Sequence, residues 1–114
     1  MYEYRAKIIS VYDGDTVRAI IDLGFGVILN GYDGKGVSLR LHGLNTPEVR
    51  GEQKEAGAIS RDRLREKILG KDVILKTFKD ATGKYGRYIA EIYLEDENIN
   101  EWLITEGLAE RKEY

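Results

Sequence analysis

The sequence predicts an α+β domain that is mainly β: a five-stranded barrel with a helix after the third strand and a short helix near the C-terminal end. Two observations lead there. Five apolar, partly alternating stretches are bounded by Gly- and Asp-rich turns, and a single long segment with helical spacing falls between the third and fourth of them. "YRAKIISVY" (4–12) alternates well enough for a first strand, and "DGDT" (13–16) turns the chain. "TVRAIIDLGFGVIL" (16–29) reads as a second strand extended into a long arm. "NGYDGKG" (30–36) is a turn in which Asp33-Gly34 suits a tight hairpin, and "VSLRLHGL" (37–44) returns as the third strand. In "GEQKEAGAISRDRLREKILG" (51–70), Leu64 and Ile68 stand four apart, Gly57 and Ser60 continue their face, and Gly70 ends the helix. "KDVILKTFK" (71–79) is the fourth strand, "DATGKYG" (80–86) a loop, and "RYIAEIYL" (87–94) the fifth strand. "NEWLITEG" (100–107) closes the pattern as a short helix with Asn100 as N-cap and Gly107 as stop, and Trp102, Leu103 and Leu108 are its expected core contacts. Three strands, a helix, two strands and a helix is the order of an OB-fold.

A chain of 114 residues with 42% apolar residues supports one core, so residues 1–114 are expected to form one domain. It has no run of 18 or more apolar residues and no basic-then-apolar leader, so the expectation is no membrane association. The chain as given reads as cytoplasmic, with secretion left open if a leader was trimmed. The absence of cysteine excludes disulfides, thiolate metal sites and a cysteine nucleophile, and the single histidine excludes any site needing two imidazoles. Any catalysis must then run on carboxylates, arginines, lysines, tyrosines or a hard cation. The net charge of −2 hides a segregation: −1 over residues 1–53, +5 over 54–88 and −6 over 89–114. A basic middle third fits a polyanion site, and equally a solvated helix face of mixed charge; the helix basics Lys54, Arg61, Arg65 and Lys67 carry both readings.

Three motifs put polar groups where turns meet strands: "DGDT" (13–16), Arg40 with "NTPE" (45–48), and "GKYGR" (83–87). Singly, each has a plain structural reading as turn chemistry, a strand exit fixed by Pro47, and a glycine-hinged loop. His42 shares a strand face with Arg40 and is expected to be structural, with tuning of Arg40 as the lesser reading.

Together the motifs "DGDT", "LRLHGLNTPE", "KYGRYIAEIY" and "INEWLITEGLA" resemble the staphylococcal nuclease (thermonuclease) family over about residues 6–112. The resemblance implies a calcium-dependent phosphodiesterase on DNA and RNA, of low sequence specificity, leaving 3′-phosphate ends. It implies calcium ligands at Asp15, Asn45 and the carbonyl of Thr46, a water-activating base at Glu48, phosphate clamps at Arg40 and Arg87, and contacts to a neighbouring phosphate from Lys84 and Tyr85. The expected partner is nucleic acid, single-stranded DNA first, met by a monomer.

The chemistry of such a set is general. Attack on a phosphodiester builds negative charge on oxygen, which fixed cations stabilise, and water needs a carboxylate or a metal to become a useful nucleophile. Oxygen-only ligands select a hard cation, and a mixture of carboxylate, amide and carbonyl suits calcium. Asn45 departs from the resemblance, standing where an aspartate is usual, so calcium is expected to bind more weakly. The alternative reading is an OB module that holds nucleic acid without cutting it; retention of Arg40, Glu48 and Arg87 favours the enzyme.

Overall fold

The computed structural model describes residues 2–82 and 88–112. Five strands close on themselves: β1 (Tyr2–Asp13), β2 (Thr16–Asp22), β4 (Val37–Leu41), β6 (Asp72–Thr82) and β7 (Tyr88–Leu94). The ring runs β1-β6-β7-β4-β2 and returns to β1, antiparallel throughout except for the parallel β4–β7 pair. That is the Greek-key closure of the OB-fold the element order predicted. Closure asks β1 to serve two neighbours. Residues 2–7 pair with β6 and residues 5–13 with β2, and register shifts after Ile8 and after Val11 bend the strand.

Inward residues alternate along each strand, as period-two geometry requires. Val17, Leu39, Leu41, Leu75 and Ile92 are fully buried, and α1 (Lys54–Ile68), preceded by a 3-10 turn at Gly51–Gln53, adds Leu64 and Ile68 to the same cluster. The buried face of α1 is Gly57, Ser60, Leu64 and Ile68, the face read from its spacing, and Gly70 follows the helix at φ 75.

Two expectations are corrected. The second strand does not run on into the arm. Gly24, Phe25 and Gly26 all take positive φ (81, 55 and 76), so the chain reverses, and Leu23 N–H donates to Val27 O at 2.9 Å. The short strand β3 (Ile28–Leu29) then pairs back on β2. The apolar run concealed this because the two glycines supply the left-handed backbone while Phe25 keeps the sequence apolar. Phe25 and Tyr32 are left fully exposed at the tips of the arm.

The second correction concerns the last helix, α2 (Ile99–Thr105). Its N-cap is Asn98, whose Oδ1 accepts from Glu101 N–H at 3.1 Å. Asn98 also ends the short strand β8 (Glu97–Asn98), which pairs with β7. Asn100 is instead buried and turned inward: Oδ1 accepts from Ile92 N–H at 3.1 Å, and Nδ2 donates to His42 O at 2.9 Å and Ala90 O at 3.1 Å. It braces β7 against the exit of β4. His42 stacks on Phe78 with ring centroids 4.3 Å apart, in keeping with the structural reading.

Asn100→Ala leaves the buried Ile92 N–H without its side-chain acceptor, whereas Ala90 O keeps its bond from His42 N–H. One orphaned buried donor is worth about 1–3 kcal/mol. Urea unfolding should show that loss with an unchanged slope; a loss under about 0.5 kcal/mol, the range of ordinary surface substitutions, would contradict the brace.

Candidate active site

The turn between β1 and β2 is built by its own side chains. Asp15 N–H donates to Asp13 Oδ1 at 3.1 Å, and Thr16 Oγ1 donates to Asp15 Oδ1 at 3.3 Å. β2 and β4 pair with Thr16 opposite Arg40, and Leu41 N–H donates to Asp15 O at 2.9 Å. The register therefore delivers Arg40 to the turn. Its Nη1 lies 2.5 Å from Asp15 Oδ2, and its Nη2 donates to Asn45 Oδ1 at 2.6 Å and to Leu44 O at 3.3 Å. Thr46 N–H donates to the same Asp15 Oδ2 at 3.3 Å.

Asn45 is held from a second direction. The strand β5 (Leu44–Asn45) pairs with β9 (Glu110–Arg111), Asn45 opposite Glu110, and Lys112 N–H donates to Gly43 O at 2.9 Å. Sequence periodicity gives no sign of either strand, since two residues carry no period. Their pairing brings residues 107–110 to the wall of a cavity of about 940 Å3, shared with Asp15, Arg40, Asn45, Thr46, Pro47 and Glu48. Five of the expected site residues thus meet at one opening. Arg87, Lys84 and Tyr85 lie outside the described residues.

Arg50 and Gln53 also line the cavity and were missed by the sequence reading. Gln53 Oε1 accepts from Glu48 N–H at 3.4 Å, and Arg50 Nη2 donates to Tyr12 Oη at 3.4 Å. The position of Arg50, two residues beyond Glu48 in "NTPEVRG", was the available signal. Among the helix basics, Arg61 pairs with Asp62 at 2.9 Å, Lys67 with Glu97 at 2.8 Å, and Arg65 donates to Val11 O at 2.9 Å.

Charge at the turn is uneven. Burial, then a hydrogen bond and the charge of Asp15, push the Asp13 carboxyl up to about 6. Burial works to raise Asp15 too, but the hydrogen bond from Asp13, the Arg40 guanidinium and Thr46 N–H outweigh it and hold Asp15 below the usual carboxylate range. Asp15 is kept ionised beside a neighbour that holds its proton only up to about pH 6.

The donor set fits a hard cation. Asp15 Oδ2 and Asn45 Oδ1 converge on one guanidinium, so both lie within reach of one positive centre, and Thr46 Oγ1 beside them is buried with no hydrogen-bond partner among the described residues. All of these donors are oxygen. Among the described residues, no three or more His, Cys, Asp and Glu side chains group to hold a metal, so an ion here would add amide, carbonyl or water oxygens to the carboxylate of Asp15. Arg40 and such an ion would use the same two oxygens.

A closed Greek-key barrel with an arginine, a depressed aspartate and an oxygen-rich strand exit at one opening defines an OB-type domain suited to a cation and an anion together. Comparison with known proteins sharpens this class. Residues 38–114 match the family described as Staphylococcal nuclease homologue. The chain is 34% identical over 115 positions to the thermonuclease of Staphylococcus hyicus, with 98% of this chain and 62% of the relative covered. It is 33% identical over 107 positions to the thermonuclease of Staphylococcus intermedius, with 91% of this chain and 57% of the relative covered. The chain belongs to the staphylococcal nuclease family, and it spans about three fifths of the length of these two relatives. Among the described residues, no helix is long and apolar enough to cross a membrane.

The Asp13 proton has a measurable consequence. The folded chain holds it up to about pH 6, whereas the unfolded chain releases it near 3.8. Between those values the folded state binds the extra proton, so this stabilising contribution is full below 3.8 and is lost as pH rises through about 6. Asp13→Asn keeps the acceptor for Asp15 N–H and removes the charge. In chelator, its stability should match the parent near pH 3.5 and exceed it above pH 7 by on the order of 1 kcal/mol, discounted because the group is partly exposed. Urea titration across that range checks it; a constant difference would contradict the shift.

Proposed function

We propose that this chain is a nuclease: a calcium-dependent phosphodiesterase acting on single-stranded DNA, and on RNA by the same chemistry, with low sequence preference and 3′-phosphate products. The observation that carries the reading is the meeting of Arg40, Asp15, Asn45, Thr46 and Glu48 at one cavity in a chain of this family. The reading takes the chain to act as a monomer.

In this reading Asp15, Asn45 and the carbonyl of Thr46 hold calcium, which supplies positive charge at the phosphate when bound. Arg40 then turns from Asp15 and Asn45 to a phosphate oxygen, its charge placed where the transition state gathers negative charge. Glu48, at the rim of the cavity, takes the proton from the attacking water. Arg87 serves as the second clamp, with Lys84 and Tyr85 on a neighbouring phosphate. Arg50 lies close enough to Glu48 in the chain to meet the same polyanion.

The direct test incubates heat-denatured DNA with the protein in calcium and then in chelator. Acid-soluble fragments should appear only with calcium. Binding without cleavage would instead support a nucleic-acid-holding module. Glu48→Gln and Arg40→Ala should each lower turnover by at least about 10²-fold, the value of one preorganised catalytic group, and near-parental cleavage would remove the assigned role.

Asn45→Asp places a full negative charge among the proposed ligands. Calorimetric titration should show calcium binding about tenfold tighter or better, since ligand charge sets affinity in such sites. Equal affinity in the two forms would take Asn45 out of the ligand set.

A further inference from the structure

The carboxylate proposed to activate water is held by little of its own. Glu48 is exposed, and its one hydrogen bond among the described residues is the long one from its backbone N–H to Gln53. No ion pair among the described residues fixes its side chain. Its position therefore rests on where its backbone is seated, and the seat is helix α1. A methyl group at Gly57 would stand 2.0 Å from Glu48 O, 2.4 Å from Glu48 C and 2.8 Å from Val49 N, all backbone atoms that no side-chain rotation can move away.

Gly57 needs no unusual backbone to explain it. It lies within the helix and is not among the residues with positive φ, and glycine is a poor helix former there. What it supplies is the missing side chain. The same face continues the arrangement: Ser60, one turn on, donates to Leu108 O at 2.6 Å, and a methyl group at Gly14 would meet Thr46 Cγ2 at 2.7 Å and Ser60 Cβ at 3.0 Å. The "DGDT" turn, the "NTPE" exit and the C-terminal wall thus all close on the first two turns of one helix.

We propose that Gly57 is a positioning residue for Glu48: its bare backbone lets the 48–49 peptide lie directly on α1 and so sets how far the carboxylate reaches into the cavity. This rests on the reading of Glu48 as the base. A misplacement of about 1 Å can cost about 10²-fold in rate, so a displaced seat should register in turnover well before it registers in substrate binding.

The test compares the parent, Gly57→Ala, Glu48→Gln and the double variant at saturating calcium, reading kcat and KM on single-stranded DNA together with thermal unfolding. Alanine favours the helix, so a glycine without this role would give Gly57→Ala unchanged kcat. The proposal expects kcat to fall at least tenfold with KM within about twofold, and expects the same substitution to cost less than about twofold in the Glu48→Gln background, because residues acting through one group are not additive. Unchanged kcat in Gly57→Ala, or an equal fold-loss in both backgrounds, overturns it. Should Gly57→Ala fail to give a cooperative melt, Val49→Gly slackens the seated peptide without adding bulk and should show the same pattern; parental kcat there overturns the proposal. Parental kcat in Glu48→Gln removes the base itself, a failure of the functional reading distinct from a failure at Gly57.

Discussion

The guanidinium of Arg40, shared between Asp15 and Asn45, is the contact on which the working end of the molecule depends. Leu39 and Leu41 on either side of it point into the barrel and are fully buried, so strand alternation turns Arg40 out toward the opening. A partly buried charge is costly unless paired, and an unpaired Asp15 carboxylate would be costlier still. Pairing them satisfies both and ties together segments some thirty residues apart in the chain. Thr46 N–H then finds Asp15 as well, and the strand exit takes its course from that point.

An arrangement anchored this way is rigid on one side and adaptable on the other. The barrel wall behind Arg40 is a closed ladder, with Asn100 bonded to the backbone of β7 and to the exit of β4. In front, the oxygens that hold Arg40 are also the oxygens a cation would use. In the proposed reading, the interaction that orders the protein by itself is the one that a phosphate and its counter-ion would exchange. Strength here has to be moderate, and an amide at Asn45 in place of a second carboxylate makes it so.

Much of this was legible in the sequence wherever a periodic signal or a complete motif existed. The buried face of α1 follows from four residues at helical spacing, and the barrel order follows from five strands interrupted once by a helix. The convergence of Asp15, Arg40, Asn45, Thr46 and Glu48 was legible only through whole motifs, because no local pattern states that residue 16 will pair with residue 40. The reversal at Phe25 was hidden by its hydrophobicity. The choice between Asn98 and Asn100 as cap was hidden because both side chains are competent and only packing decides. The two-residue strands β5 and β9 carry no signal, and with them the contribution of residues 107–110 to the cavity was unreadable.

That late pairing bears on how the chain comes into being. Every motif residue up to Glu48 is synthesised well before Glu110, and at ribosomal speeds the interval is a matter of seconds. The parallel β4–β7 seam waits for β7, α2 docks later still, and until β9 emerges Asn45 has no strand to lie against. A nascent chain that has reached Glu48 can pair β2 with β4 and so set Arg40 beside Asp15, but it lacks the wall that residues 107–110 supply. The opening gains its last wall only when residues 110 and 111 have emerged.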